Sequence, residues 1–294
     1  MHHRLLAIAF LLLATLTTGG CAASRSSGPA DYAAPMPSGL RVAYTDAGPR
    51  DATALIFIHG WASDRTVWHN QLDALAAEYR VITIDLPGHG QSDAPEDVEY
   101  SMKLLATGVR TVMDDAAVDQ AILIGHSNGV PVIRTFQLLF PWRVEGLVGV
   151  DGAFVRVFAA SMAAPIMSQL QSDTYVQFIE SMMPQMFPYT PEEDQASITA
   201  TAISTPQHVL IGTFEAALAD DAFPDDPIEK PVLAVVAHEA PFWTDAYFEQ
   251  VVAIAPMTQI IRMQRAGHFL MLDRPETFNE VLIEWIERGG EMVR

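Results

Sequence analysis

The apolar run Ala121-Ile122-Leu123-Ile124 ends in Gly125-His126-Ser127-Asn128-Gly129, and helix-compatible sequence follows it. A G-x-S-x-G pentapeptide between a buried strand and a helix admits few folds, because it demands a sharp strand-to-helix turn with serine at its apex. Only glycine two positions before and two after the serine leaves room for the neighbouring backbone. The turn lifts the hydroxyl out of the sheet and sets it at a helix N-terminus, where backbone N–H groups favour developing negative charge. Pro131 does not contradict the helix, since it falls in the first turn, where a missing N–H costs little.

The rest of the chain follows the same alternation. Short strand runs are predicted at residues 41–44, 54–58, 80–84, 121–124, 144–150, 232–237 and 259–263. Helical segments are predicted at 70–78, 102–116, 128–140, 245–255 and 277–288. Strands alternating with helices imply a mostly parallel sheet covered on both faces. The alternation breaks between Gly152 and Pro231. That interval has no convincing strand, is cut into short helical pieces by Pro165, Pro184, Pro188, Pro191 and Pro206, and carries Met162, Met167, Met182, Met183 and Met186. Flexible, polarizable methionines suit an irregular apolar ligand, and they equally suit the packing of a helical insertion onto the sheet.

Composition adds bounds. A chain of 294 residues, 50% of them hydrophobic, suits one large α/β domain. The net charge of −19, without any Lys/Arg cluster, disfavours nucleic acid and anionic lipid as partners, and solubility accounts for the acidity. No Cys/His or HExxH grouping indicates a metal and no Gly-rich phosphate loop follows the first strand, so no cofactor is expected.

At the N-terminus, Arg4 precedes an apolar run from Leu5 to Leu16 that is too short to span a bilayer and has the size of a signal-peptide core. Thr18-Gly19-Gly20-Cys21 follows, and Cys21 is the only cysteine. Small residues before a lone cysteine resemble a bacterial lipobox, although Thr18 stands where leucine is usual. On that reading Cys21 is lipidated and anchors an exported protein to a membrane. The rival reading is cleavage after Ala23, which also gives an exported chain. The expected organisation is a signal peptide over 1–20, a Ser/Gly/Ala/Pro-rich flexible tether over 21–37, and a globular domain over 38–294 with an insertion at about 153–222.

Three further blocks stand in order around the pentapeptide. Leu55-Ile56-Phe57-Ile58 is followed by His59-Gly60-Trp61. Arg80-Val81-Ile82-Thr83-Ile84 leads into Asp85-Leu86-Pro87-Gly88-His89-Gly90, and Gln259-Ile260-Ile261-Arg262-Met263 into Ala266-Gly267-His268-Phe269. With these blocks the chain resembles the α/β-hydrolase superfamily, in the cap-bearing branch with a serine nucleophile. The resemblance runs from about residue 40 to residue 288. It implies a mostly parallel central sheet with helices on both faces and a helical cap inserted after the family's sixth strand. It also implies Ser127 as nucleophile, His268 as general base, and the backbone N–H groups of Trp61 and Asn128 as the oxyanion hole.

The third member of the triad departs from the family's commonest pattern. Aligning Pro231-Val232-Leu233 with the family puts Ala240 where an aspartate is expected, and alanine cannot orient an imidazolium. Asp151 ends the preceding strand, as the acid does in the haloalkane dehalogenase branch, and is the residue taken here as catalytic. Glu239, beside Ala240, is the alternative, followed by Asp245 or no acid at all. Each also has a plainer reading: a polar strand end for Asp151, a solvated loop carboxylate for Glu239. His126 reads as packing beneath the turn, His59 as shaping the oxyanion loop, and His89 as stabilising its own turn. The Asn128 amide contacts substrate or only faces a polar pocket wall, and the Trp61 ring is free to line the pocket.

The implied activity is hydrolysis of a carboxylic ester or lactone with an apolar portion, through an acyl-enzyme. Serine at the turn sets the chain apart from dehalogenase and epoxide-opening branches, which place a carboxylate there. A cofactor-free perhydrolase or haloperoxidase and a carbon–carbon bond hydrolase are built on the same triad, and a ligand-binding module of the same fold is the non-enzymatic alternative.

Overall fold

In the computed structural model, which describes residues 27–157 and 160–290, each predicted apolar run is a strand of one sheet. The strands are β1 (Ser27–Pro35), β2 (Arg41–Gly48), β3 (Ala54–Ile58), β4 (Arg80–Ile84), β5 (Ala121–His126), β6 (Val144–Val150), β7 (Val232–Ala237) and β8 (Thr258–Met263). They lie in the order β1-β2-β4-β3-β5-β6-β7-β8. The β1–β2 and β2–β4 pairs are antiparallel and the remainder parallel.

The central strands are apolar without a break because both faces of the sheet are covered. Successive side chains point to opposite faces. Ile56 and Ile58 of β3 therefore join one apolar cluster, while Leu55 and Phe57 join the other. The first cluster receives Val109 and Met113 from α2 (Met102–Asp115), Ile133 and Phe136 from α3 (Gly129–Leu139), and Val251 from α8 (Asp245–Ile254). The second receives Leu75 from α1 (His69–Leu75) and Phe278, Leu282 and Trp285 from α10 (Pro275–Glu287). Side chains cap two of these helices at their starts. The Ser101 hydroxyl accepts from the Leu104 N–H, and that of Thr244 from the Tyr247 N–H, each at 3.2 Å.

The tether expected over 21–37 is corrected for its described part. Ser27–Pro35 pairs antiparallel with β2 as the outermost strand. Ala34 and Met36 are buried in the first cluster, the Tyr32 and Tyr44 rings stack at 5.1 Å, and Thr45 donates to Asp31 at 2.5 Å. A composition rich in Ala, Ser and Pro lacks an alternating apolar signal. Strand pairing, however, uses backbone groups that every residue but proline carries in full, and the free edge of β2 offers them a partner. The signal-peptide residues and Cys21 lie outside the described residues.

Between β6 and β7 lie the helices of the cap: α4 (Ala160–Leu170), α5 (Tyr175–Met182), α6 (Glu192–Ser204) and α7 (Gln207–Leu218). Pro191 and Pro206 stand immediately before α6 and α7, whereas Pro165 lies inside α4 and does not end it. Leu170, Ile179, Met183, Ile198 and Leu210 from the cap share the second cluster with Phe57 and Phe269, so the cap is continuous with that core. Met183 is buried there, with Met182 and Met186 packed beside it, which is the packing use of methionine. Arg134, buried on α3, donates to the carbonyls of Pro224 and Asp226 and so holds the segment by which the chain returns to β7.

Candidate active site

Four of the five non-glycine residues with positive φ among those described follow strands: Ala62 after β3, Ser127 after β5, Asp151 after β6 and Arg265 after β8. These strands are parallel, so the four strained positions gather at one end of the sheet. Such strain concentrates where a fold holds functional groups, and the carboxyl ends of parallel strands are where open α/β sheets bind ligands.

Ser127 has φ of +52° and is half-buried at the tip of the turn from β5 into α3. Its N–H donates to the Val150 carbonyl at 2.9 Å, and its own carbonyl accepts from the Val130 N–H at 3.0 Å. The flanking glycines are sterically required. A Cβ on Gly125 would sit 2.5 Å from the Gly129 oxygen, and one on Gly129 would sit 2.6 Å from the Ile58 oxygen. The loop after β3 also presses against the serine, because a Cβ on Gly60 would lie 2.9 Å from the Ser127 Cβ. That contact sets the loop carrying Trp61 against the turn carrying Ser127 and Asn128. Among the described residues, no backbone carbonyl accepts from either of their amides outside regular helix and strand pairing.

His268 lies in the loop between β8 and α9 (Leu270–Asp273). Its Nδ1–H donates to Asp151 Oδ2 at 2.8 Å. The other carboxylate oxygen, Oδ1, accepts from the Ala237 N–H at 2.9 Å and from the Trp243 indole N–H at 2.7 Å. Asp151 is 6% exposed and the His268 side chain 27%, so a buried carboxylate backs an imidazole whose Nε2 is left for the open side. Glu239 is exposed and, among the described residues, meets only the Arg265 N–H, at 3.4 Å, and Asp245 is an exposed partner of Arg262 at 2.7 Å. The structure thus brings Asp151 to His268, and neither alternative carboxylate reaches the imidazole.

Further side chains hold the two loops. His126 Nε2–H donates to the His268 carbonyl at 2.8 Å, and the two rings lie 4.7 Å apart. His59 donates from Nδ1 to the Gly60 carbonyl at 2.7 Å and accepts at Nε2 from the Leu86 N–H at 3.0 Å. Asp273 accepts from the Gly267 N–H at 2.5 Å and from the cap residue Thr190 at 2.6 Å, which ties the histidine loop to the cap. Burial raises its carboxyl above the usual range. The Trp61 indole donates to the Leu210 carbonyl of α7 at 2.9 Å, so the residue whose amide was assigned to the oxyanion loop also fastens that loop to the cap. Neither Trp243 nor Asp273 was legible as a site residue. A lone loop tryptophan carries no periodicity, and Asp273 reads as a helix-start residue.

His59, His89 and His126 are fully buried, and burial is the main cause that lowers each below the ordinary histidine value; for His89 the result is about 3. They are neutral in the folded chain, so the unfolded chain takes up protons that the folded chain does not. Stability is therefore present above pH 6.5 and is lost as pH falls from there towards the folded values. The expected result is a Tm that declines as pH falls from 6.5 to 5, with His89 contributing a loss of stability of about 1 kcal/mol per pH unit. Differential scanning calorimetry of wild type and His89→Asn checks it: the variant should show a shallower decline, and an equal slope would remove His89 from the account.

A strained serine after β5 and a carboxylate-backed histidine after β8 lie at the carboxyl end of one parallel sheet, under a helical cap, as in hydrolases of α/β fold. The model of the alpha/beta hydrolase family matches residues 55–281, and the chain belongs to that family. Relatives fall in several branches. Human epoxide hydrolase 4 is 29% identical over 159 residues, a match spanning 54% of this chain but only 44% of that protein. A 2-hydroxy-6-oxononadienedioate/2-hydroxy-6-oxononatrienedioate hydrolase from Burkholderia vietnamiensis is 27% identical, over 85% of this chain and 92% of its own length. A carboxylesterase from Bacillus subtilis is 24% identical, over 82% and 83% respectively. Among solved structures, a hydrolase from Pseudomonas aeruginosa superposes with a TM-score of 0.77 at 22% identity, covering 87% of this chain and 98% of that one, which shows the shared fold.

Proposed function

We propose that this hydrolase cleaves a carboxylic ester or lactone with an apolar portion through an acyl-enzyme on Ser127. The observation that carries the reading is the Asp151–His268 hydrogen bond of 2.8 Å beside a serine held at φ of +52°. His268 Nε2 takes the Ser127 hydroxyl proton as Oγ attacks the carbonyl carbon. The Trp61 and Asn128 amides hold the oxyanion, and His268 returns the proton to the departing alcohol. Water then attacks the acyl carbon, giving a proton to His268, which passes it to Ser127 Oγ as the carboxylic acid leaves. Apolar side chains of the oxyanion loop and cap, Trp61 with Ile211 and Phe214, suit an apolar acyl or alkyl group.

Several relatives are epoxide hydrolases by name. Serine at position 127 favours the ester reading, because direct epoxide opening in this fold uses a carboxylate nucleophile. The Burkholderia relative, aligned over most of both chains, favours carbon–carbon bond hydrolysis on the same residues as the second reading. Hydrolysis of p-nitrophenyl esters of graded chain length, by wild type and by Ser127→Ala, is the test. Wild type should turn over and lose activity to a fluorophosphonate. Wild type as inert as the variant on every ester, with turnover of a vinylogous diketone instead, would transfer the proposal to the second reading.

We also propose that the chain is exported and anchored to a membrane through a lipid on Cys21, the only cysteine of a signal-like N-terminus. Membrane association that survives Cys21→Ser in cells would remove the anchor.

A further inference from the structure

Asp151 Oδ2 faces His268, but nothing in a carboxylate itself distinguishes one oxygen from the other. What distinguishes them here is the segment that follows β7. It supplies no carboxylate to His268; it supplies two N–H donors, those of Ala237 and the Trp243 indole, and both converge on Oδ1 at 2.9 and 2.7 Å. Two donors on one oxygen fix the plane of the carboxylate and leave the other oxygen to the imidazole. A buried carboxylate loses its bonds to water, so each donor also offsets part of that loss.

Trp243 is itself held in place. It is 7% exposed, its ring lies 5.1 Å from that of Tyr247, and its carbonyl accepts from Arg262 at 2.6 Å. Tyr247, one turn into α8, accepts at its hydroxyl from the Phe154 N–H at 2.9 Å. The start of α8 therefore grips the end of β6 twice, at the Asp151 carboxylate and at the backbone just beyond it. Arg262, Trp243, Asp151 and His268 form one connected line from β8 to the imidazole.

We propose that Trp243 is a positioning residue of the hydrolytic site, acting through Asp151 by donating its indole N–H to Oδ1 and so presenting Oδ2 to His268. This inference rests on the serine-hydrolase reading above. It places a determinant of turnover outside the serine, histidine and acid, on a residue that touches none of the reacting atoms.

The test is steady-state ester hydrolysis by Trp243→Phe, alone and combined with Asp151→Asn, with Tm measured for each protein. The expected result is a kcat lowered by about 10- to 100-fold with KM changed by less than about twofold, the range for one hydrogen bond to a charged group felt in the transition state. In the Asp151→Asn background the same substitution should cost less than about threefold, because groups that act as a unit are not additive. A merely structural tryptophan would give full multiplication of the two losses, and that outcome overturns the proposal. Should Trp243→Phe fold poorly, β-(3-benzothienyl)alanine at position 243 keeps the ring shape and removes only the donor. A kcat within about twofold of wild type for that protein likewise overturns it. In either case Ser127→Ala remains inert, and only the inference about Trp243 falls. Turnover retained by Ser127→Ala would instead bring down the hydrolytic reading and this inference with it.

Discussion

Ser127→Ala lowers kcat/KM on any ester the wild type accepts by about 10⁵- to 10⁶-fold, the scale seen when the nucleophile of a cooperating triad is removed. The turn that presents Ser127 is determined by its backbone. The left-handed φ of +52°, the N–H bonded to Val150 and the closely packed glycines at 125 and 129 are independent of the hydroxyl. The variant should therefore fold with a Tm near that of wild type while losing the covalent step. Labelling by a fluorophosphonate should vanish with it. Comparable labelling of the variant would mean that another residue is the nucleophile and would remove the acyl-enzyme from the mechanism.

Asp151→Asn is expected to lower kcat by about 10⁴-fold, whereas Glu239→Gln should leave it within about twofold of wild type. The asymmetry comes from geometry. Asp151 is buried and accepts from His268 Nδ1 at 2.8 Å, so in the proposed mechanism the carboxylate both selects the imidazole tautomer and faces the imidazolium formed on acylation. Asparagine keeps the size, and its oxygen can still accept from the Trp243 and Ala237 donors. That arrangement turns an amide N–H towards His268 and favours the wrong tautomer. Glu239 is exposed and its 3.4 Å contact to the Arg265 amide is weak. Rates measured for both variants on one ester decide the matter: collapse of Glu239→Gln with Asp151→Asn intact would move the acid to the loop after β7.

Much of the fold, and the turns that carry Ser127 and His268, were legible in the sequence. Strand runs such as 54–58 and 121–124 announce themselves because a strand covered on both faces is apolar at every position, and helices between them because their apolar positions recur at helical spacing. The turns that carry Ser127 and His268 were legible from short motifs of small residues, although part of the crowding that demands them comes from afar: Ile58 stands against Gly129, and the cap residue Pro188 against Gly267.

Other features had no local signature. The acid depends on which of two strand ends, 86 residues apart in the chain at Asp151 and Ala237, delivers a carboxylate to the same imidazole. Ala240 says only that one position is empty. Trp243 looks like any loop aromatic until α8 folds it back onto Asp151, and the Trp61 indole is unremarkable until α7 lies over it. The strand at Ser27–Pro35, read as a tether, is decided by the open edge of β2 and not by its own side chains.

The sequence by itself determined the alternation of strands and helices, the serine turn and the histidine loop, since these are written in periodicity and in short motifs of small residues. Only the tertiary structure decided which carboxylate meets His268, the indole that donates to it, the fastening of the cap to the Trp61 loop and the first strand. Each of those is a hydrogen bond between segments distant in the chain, and its partner is chosen by where the packed sheet brings the two together.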